Sequence, residues 1–315
     1  MKKLIILAAI LVVLVIVAIV AQKSWKSKIS YKENSPIPQN VTEDMITRIV
    51  VINGKDTVDV RKINGKWFVM VNGEPKEASQ YMIEKRLKIL VNLKGEVVSK
   101  NPANFEKFGV TENAQKVIAY SGNKKLVELY LGNSGPSFMD TYVRNPEMKE
   151  VFLVKEYLKS PFTSRVIGWR ERVIFRFKPD SIVRFAYIHG KDTIVAERKD
   201  SAWVFNGGKG DTIALKGALN SIRTLSAMDF EDTLSLKEAG LEPPKEIFEI
   251  TLKDGSTYRL FVGEKRDKNT VYVKREDKDQ IYVISNYLVT KFRRAFGVKE
   301  TKRKKFSRKK AKKRA

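Results

Sequence analysis

Apolar and polar positions along the chain fall into two similar series of short runs. In the first, Ile46 to Ile52 is an apolar-rich strand that ends at the turn signal Asn53-Gly54, and Asp56 to Arg61 returns from it. A second turn at Asn64-Gly65 leads to the strand Lys66 to Val71, which makes a three-stranded meander. After Pro75 the period changes to that of a helix from Ser79 to Leu93, with Ile83, Leu87, Leu90 and Leu93 on one stripe that faces a sheet. Residues 101–109 read as one helical turn closed by Gly109. Strands Lys116 to Tyr120 and Lys125 to Leu131 follow, then Asp140 to Arg144, Val151 to Val154, and a closing helix from Lys155 to the break at Pro161.

The second series repeats the order. Strands are expected at Ile182 to Ile188, Asp192 to Arg198 and Ala202 to Phe205, and a helix at Leu215 to Leu225. Residues 236–241 stand for the glycine-closed turn. Strands Ile247 to Leu252, Ser256 to Val262, Thr270 to Lys274 and Gln280 to Ile284 then lead to a helix from Ser285 to Phe296. Gly54-Lys55-Asp56-Thr57 recurs as Gly190-Lys191-Asp192-Thr193, and Trp67 recurs as Trp203, both displaced by 136 positions (190 − 54 and 203 − 67). The displacement drifts slowly, to 132 on the helical stripe and 130 at Tyr142-Val143 and Tyr272-Val273. A period this long marks a tandem duplication of whole domains, not the turns of a solenoid. The fold class expected is therefore α+β, with two duplicated domains, each a mainly antiparallel sheet carrying one or two packed helices.

The ends of the chain differ from both series. Leu4 to Ala21 is an unbroken apolar run of 18 residues behind Met1-Lys2-Lys3, long enough to cross a bilayer as a helix. A cleaved signal would have a shorter apolar core and a small-x-small site, where Ile19 stands here. The organisation expected is a transmembrane anchor at 1–22, a polar two-proline stalk at 23–44, domain one at 45–168, a connecting strand at 169–180, domain two at 181–298 and a basic disordered tail at 299–315. The alternating residues after Trp169 suggest that the domains pack together. The short cationic leader fits an amino terminus in the cytoplasm, with the body on the periplasmic side of the cytoplasmic membrane.

In this order the residues resemble the bacterial membrane-anchored proteins grouped as domain of unknown function 4340. The resemblance is carried by Gly54-Lys55-Asp56-Thr57 and Trp67, Phe108-Gly109-Val110, Leu131-Gly132, Tyr142-Val143-Arg144, Val151 to Val154 and Trp169-Arg170-Glu171. It implies an accessory role beside ABC-type export components of the kind linked to gliding motility, and it supplies no catalytic residues.

Charge bears on partners more than on fold. The formal charge is +25, from 61 Lys and Arg against 36 Asp and Glu, which favours anionic partners. From Lys299 onward the tail holds eleven basic residues and one acid, Glu300. Lys302, Arg303, Lys304, Lys305, Arg308, Lys309, Lys310, Lys312, Lys313 and Arg314 are the candidate anionic-surface site, for a lipid or an envelope polymer. Phe306 alone gives too little stacking for a single-strand binder, so a nucleic-acid tether ranks third.

Candidate chemistry is sparse. With no cysteine and the single His189 in a turn, thiol chemistry is excluded and no metal cluster or cofactor is expected. Glu231-Asp232 and Glu276-Asp277 sit among lysines and read as solvated surface, and Gly207 to Gly210 lacks the phosphate-loop pattern. Ser134 to Ser137 lacks a nucleophile elbow. No enzyme is expected. The function expected is a non-enzymatic membrane-anchored scaffold or accessory subunit of an envelope complex, with protein partners. The alternative is a module that binds an anionic envelope glycan or lipid in the cleft between the copies.

Overall fold

The computed structural model describes residues 32–178, 180–207 and 209–298. The expected anchor and the basic tail, with its candidate site, lie outside them. The chain divides into two compact units between Glu171 and Arg172. Among the described residues no helix is long and apolar enough to cross a membrane.

The first unit contains β1 (Arg48–Asn53), β2 (Asp56–Ile63), β3 (Lys66–Val71), β4 (Glu74–Glu77), the helix α1 (Gln80–Val91) and β5 (Glu96–Ser99). The short α2 (Phe105–Phe108) follows, then β6 (Gln115–Ser121), β7 (Lys124–Ser134), β8 (Thr141–Arg144) and β9 (Val151–Val154). All pairings are antiparallel in a nine-stranded sheet of order β4-β3-β2-β1-β6-β7-β8-β9-β5. Two-residue turns at Asn64-Gly65 and Asn72-Gly73 have positive φ at both positions, the conformation that hairpins with right-handed strand twist demand. Ile83, Leu87 and Leu90 of α1 are buried against Ile49, Val51, Val60 and Val69 of the sheet.

The second unit contains β10 (Ile182–His189), β11 (Asp192–Lys199), β12 (Ala202–Asn206), the helix α3 (Thr212–Ile222), β13 (Asp229–Glu231), β14 (Glu246–Leu252), β15 (Thr257–Lys265), β16 (Thr270–Arg275), β17 (Ile281–Ser285) and the helix α4 (Asn286–Ala295). Its sheet has eight antiparallel strands in the order β12-β11-β10-β14-β15-β16-β17-β13. Strand for strand this is the order of the first sheet with β4 left out. The duplication read from the sequence is thus a duplication of topology. The cores differ in kind: Phe185, Phe248, Phe292 and Phe296 cluster in the second unit, where Ile49 and Val117 hold the places of Phe185 and Phe248 in the first.

Three expectations need correction. The stalk does not extend to residue 44, because Ile37 and Val41 are buried in the core of the first unit. The Gly95 amide donates to the Asn34 carbonyl at 2.9 Å, and Asn145 Nδ2 donates to the Pro36 carbonyl at 2.8 Å. Among the described residues of 169–180 none belongs to a strand. Ala78 bridges Arg170 in the first unit, while the Ile174 and Phe175 amides both donate to the Leu225 carbonyl in the second. Two successive amides on one acceptor cannot continue a ladder, whose donors alternate sides. Residues 155–161 form turns instead of a helix, with Thr141 Oγ1 accepting from the Leu158 amide at 3.1 Å and donating to the Glu156 carbonyl at 2.7 Å.

The first two corrections have one cause. Gly95 bonds Asn34 as Ala227 bonds Arg172, at 2.7 Å, and Gly95 and Ala227 are separated by the same 132 positions as the helical stripes. Each unit therefore begins with an irregular lead-in that docks beside the chain leaving its helix.

Candidate functional site

The two units treat the space between lead-in, meander and helix differently. In the second unit a cavity of about 420 Å³ opens there. Its helical wall is Lys216, Leu219 and Asn220 with the C-cap residue Arg223, spaced three, four and seven residues from the first, which puts all four on one side of α3 and its cap. On the sheet side Trp203 of β12 lies directly across from Arg198 of β11, with Ser201 at the turn between them. The lead-in contributes Lys178, Asp180 and Ile182.

Four cations thus face one acid. Asp180 is 3.6 Å from Arg198, but its side chain is 79% exposed, so solvent screens much of that pairing. Arg223 Nε reaches Asn220 Oδ1 at 3.4 Å, a long hydrogen bond to a neutral group. Lys178 and Lys216 have no carboxylate within ion-pair distance among the described residues. The floor is apolar: Ile182 is buried, and Trp203 and Leu219 are half-buried with a face open to the cavity.

In the first unit the corresponding space, about 450 Å³ between Thr42 to Asp44 of the lead-in and Val91-Asn92, does not reach the tryptophan. Trp67, Leu87 and Val91 stand where Trp203, Leu219 and Arg223 stand, and they are only 4%, 5% and 5% exposed. The Trp67 amide donates to Gln80 Oε1 at 2.8 Å, while its carbonyl accepts from Gln80 Nε2 at 2.9 Å and from the Ala78 amide at 3.2 Å. Lys32 Nζ donates to the Val91 carbonyl at 2.6 Å, and the turn Glu43–Met45 packs on α1. The charges here balance, with Asp44 and Glu84 against Lys62 and Lys88 at the positions that match Asp180, Lys216, Arg198 and Asn220.

The missing strand opens a second feature. In the first unit β4 covers the outer edge of β3, whereas among the described residues no strand pairs with the outer edge of β12. Trp67 turns its backbone N–H and C=O outward, and β11–β12 repeats the β2–β3 register. Trp203 and Phe205 accordingly carry their N–H and C=O groups on the free edge of β12.

Several other motifs that carried the resemblance, Phe108 to Val110, Tyr142 and Val151, meet at a different place. Gly109 ends α2 at φ 67°, and Gly132 lies against the same turn: a Cβ on Gly132 would sit 2.3 Å from the Phe108 carbonyl oxygen. In the second unit Gly240 has φ 69°, and a Cβ on Gly263 would sit 2.1 Å from the Ala239 carbonyl oxygen. Both units also shift register here, between Leu131 and Ser134 and between Val262 and Lys265. Trp169 is fully buried, its Nε1 donates to the Thr163 carbonyl at 2.8 Å, and the Arg86 guanidinium stacks 3.9 Å from its ring. Burial pushes the Arg86 pKa down to about 10. These residues hold the first unit together.

The family described as Domain of unknown function (DUF4340) matches residues 67–244 and again residues 209–313. The chain belongs to this family. The first match begins at Trp67 and runs across the boundary between the units, and the second begins six residues past its counterpart Trp203 (209 − 203) and lies within the second unit. No curated protein and no solved structure matches the chain.

The other candidates of this DUF4340 chain have local roles. His189 ends β10 opposite Asp192, next to Gly190 at φ 60°. Glu231 accepts from the Thr233 hydroxyl at 2.6 Å and the Thr233 amide at 2.9 Å, which holds its carboxyl below the ordinary range. Asp277 is held low by its two bonds from Arg275. Among the described residues no group of three His, Cys, Asp or Glu could hold a metal ion. The cavity of the second unit was not found from sequence because its cations come from three separate segments. The signal available was the change from Glu84 and Val91 to Lys216 and Arg223 on helices that share an apolar stripe.

Proposed function

We propose that this protein is a non-enzymatic scaffold or accessory subunit of an envelope complex. Its apolar run at 4–21 holds it in the cytoplasmic membrane, and its body stands on the periplasmic side. The observation that carries the reading is the free edge of β12, which the sibling sheet covers with a strand of its own. A free edge is a template for one more strand: backbone bonds supply affinity and alternate side chains supply selection. The occupant is an extended segment of a partner protein. The surrounding Arg198, Lys199 and Lys209 favour a segment rich in Asp and Glu. An ABC-type export complex is the setting that the family resemblance implies.

The test is to purify the full chain from membranes with its bound proteins, beside a version that keeps residues 1–31 and lacks 32–298. The partner set is expected to disappear with the body. In the purified complex the Trp203 and Phe205 amides are expected to exchange hydrogen at least tenfold more slowly than in the free chain. A partner set that survives loss of the body overturns the scaffold reading, and unchanged exchange at those two amides overturns the edge as its means.

A further inference from the structure

We infer that the cavity of the second unit is a binding site for a phosphate ester of a polyol, with the phosphate held by Lys216, Arg223, Lys178 and Arg198 and the polyol lying on Trp203. This does not depend on the scaffold reading, since the site is complete within one unit and needs no partner strand.

Charge is the first ground. Cations brought together in a concave place with apolar walls repel one another and focus their field on the space between them, so an anion seated there relieves the repulsion. One singly charged carboxylate would leave this site positive, because Lys178, Arg198, Lys216 and Arg223 line it against the one acid, Asp180. A phosphate monoester carries up to two charges and three acceptor oxygens. Arg223 and Arg198 can each offer it paired N–H donors from a planar fork, while the two lysines act as point charges.

The apolar and neutral groups select the rest of the ligand. Trp203 presents a half-buried indole whose open side faces the cavity, with Leu219 and Ile182 beside it. A flat apolar face suits the C–H side of a sugar ring or a glycerol backbone. Ser201 and the Asn220 amide stand ready for hydroxyl groups. About 420 Å³ lies within the range of small-molecule sites and holds a ligand of one or two sugar units. The first unit serves as an internal control. It keeps the tryptophan and the frame, but its charges balance and its tryptophan is buried away from the space between lead-in and helix.

A phosphate ester of this kind is presented both by phosphorylated sugars and by the headgroups of glycerophospholipids, and two probes separate the sources. The full-length chain in neutral detergent is titrated calorimetrically with glucose 6-phosphate and, separately, with dihexanoylphosphatidylglycerol below its micelle concentration. Glucose and inorganic phosphate are run alongside. Lys216→Ala/Arg223→Ala is compared with the parent, with circular dichroism to confirm that both are folded. Both substitutions leave the basic tail in place, so the difference between the two proteins reports the cavity alone.

Saturable binding of one equivalent of either ester is expected, weakened at least tenfold in the double variant and accompanied by an indole fluorescence change that Trp203→Phe removes. Glucose 6-phosphate as the tighter ligand assigns the site to sugar phosphates, and the lipid as the tighter ligand assigns it to headgroups. Affinity for both esters unchanged in the double variant overturns the inference, as does inorganic phosphate or glucose binding as tightly as the esters.

Discussion

Trp67 and Trp203 occupy the same position in two copies of one fold and meet different surroundings. Trp67 is clasped by Gln80, lies beside β4 and is only 4% exposed, whereas Trp203 keeps a face on a basic cavity. The difference shows what each copy has been left to do. Sheet order, the helix after the meander and lead-in docking are shared, while covering elements and charges diverge at this seam and α4 has only turns for a counterpart in the first unit. A copy relieved of closing that seam can use it for a ligand. If so, the two tryptophans contribute very differently to stability. Trp67→Ala removes a large buried side chain and is expected to cost about 3 to 5 kcal/mol, while Trp203→Ala is expected to cost about 1 to 2 kcal/mol because its ring is already partly in water. Native-state hydrogen exchange in β1 and in β10 reads the two units separately. Equal losses would show that the second seam is closed as well.

A smaller effect tests the likeness. Gly132 and Gly263 press against the carbonyls of Phe108 and Ala239 where both sheets shift register. Neither is in the left-handed region, so the constraint is space and not backbone freedom. Alanine at either place must push a turn off its strand, at about 2 kcal/mol. Gly132→Ala and Gly263→Ala should therefore lower the urea midpoint of their own units by similar amounts. A loss confined to one unit would mean that the shared glycine is a relic in the other.

Much of this frame was legible because strand and helix periods are local. Lys66 to Val71 and Val151 to Val154 are strands with the bounds their sequence suggests. What escaped notice was polar or distributed. β4 is Glu-Pro-Lys-Glu, with no apolar residue but Pro75, and a proline is tolerated there only because the strand is at an edge. The Asn72-Gly73 turn ahead of it was the available hairpin signal. The lead-ins escaped because Pro36 and Pro38 suggest a spacer, although Ile37 between them is fully buried. The cavity escaped because no single segment holds more than two of its cations, so only the folded chain brings them to one place.

The smallest expected effect concerns a charge that has moved between the copies. Arg48 and Arg184 match on the central strands, but Arg48 pairs with Asp59 on β2, while Arg184 pairs with Glu249 on β14 and, at 3.5 Å, with Glu197 on β11. Burial alone would raise the Glu249 pKa, but hydrogen bonds from Arg259, at 2.7 Å, and from Arg184 outweigh it and hold the carboxyl below its ordinary value. Asp59 is lowered in the same way, with Arg61 and Arg48 as donors against the effect of burial. A folded pKa below the unfolded one means that the native state binds fewer protons through the acid range. The stability each pair contributes is therefore complete above the unfolded pKa, near 4 to 4.5, and is lost as pH falls through the folded value. Glu249→Gln and Asp59→Asn should each cost about 1 kcal/mol at pH 7, since the arginines are partly exposed. Each variant should also flatten the fall in stability of its own unit between pH 5 and pH 2, measured by urea unfolding at fixed salt and marked by roughly those limits. An acid slope that is undiminished in Glu249→Gln but flattened in Asp59→Asn would show that only the pair on β2 is formed in solution.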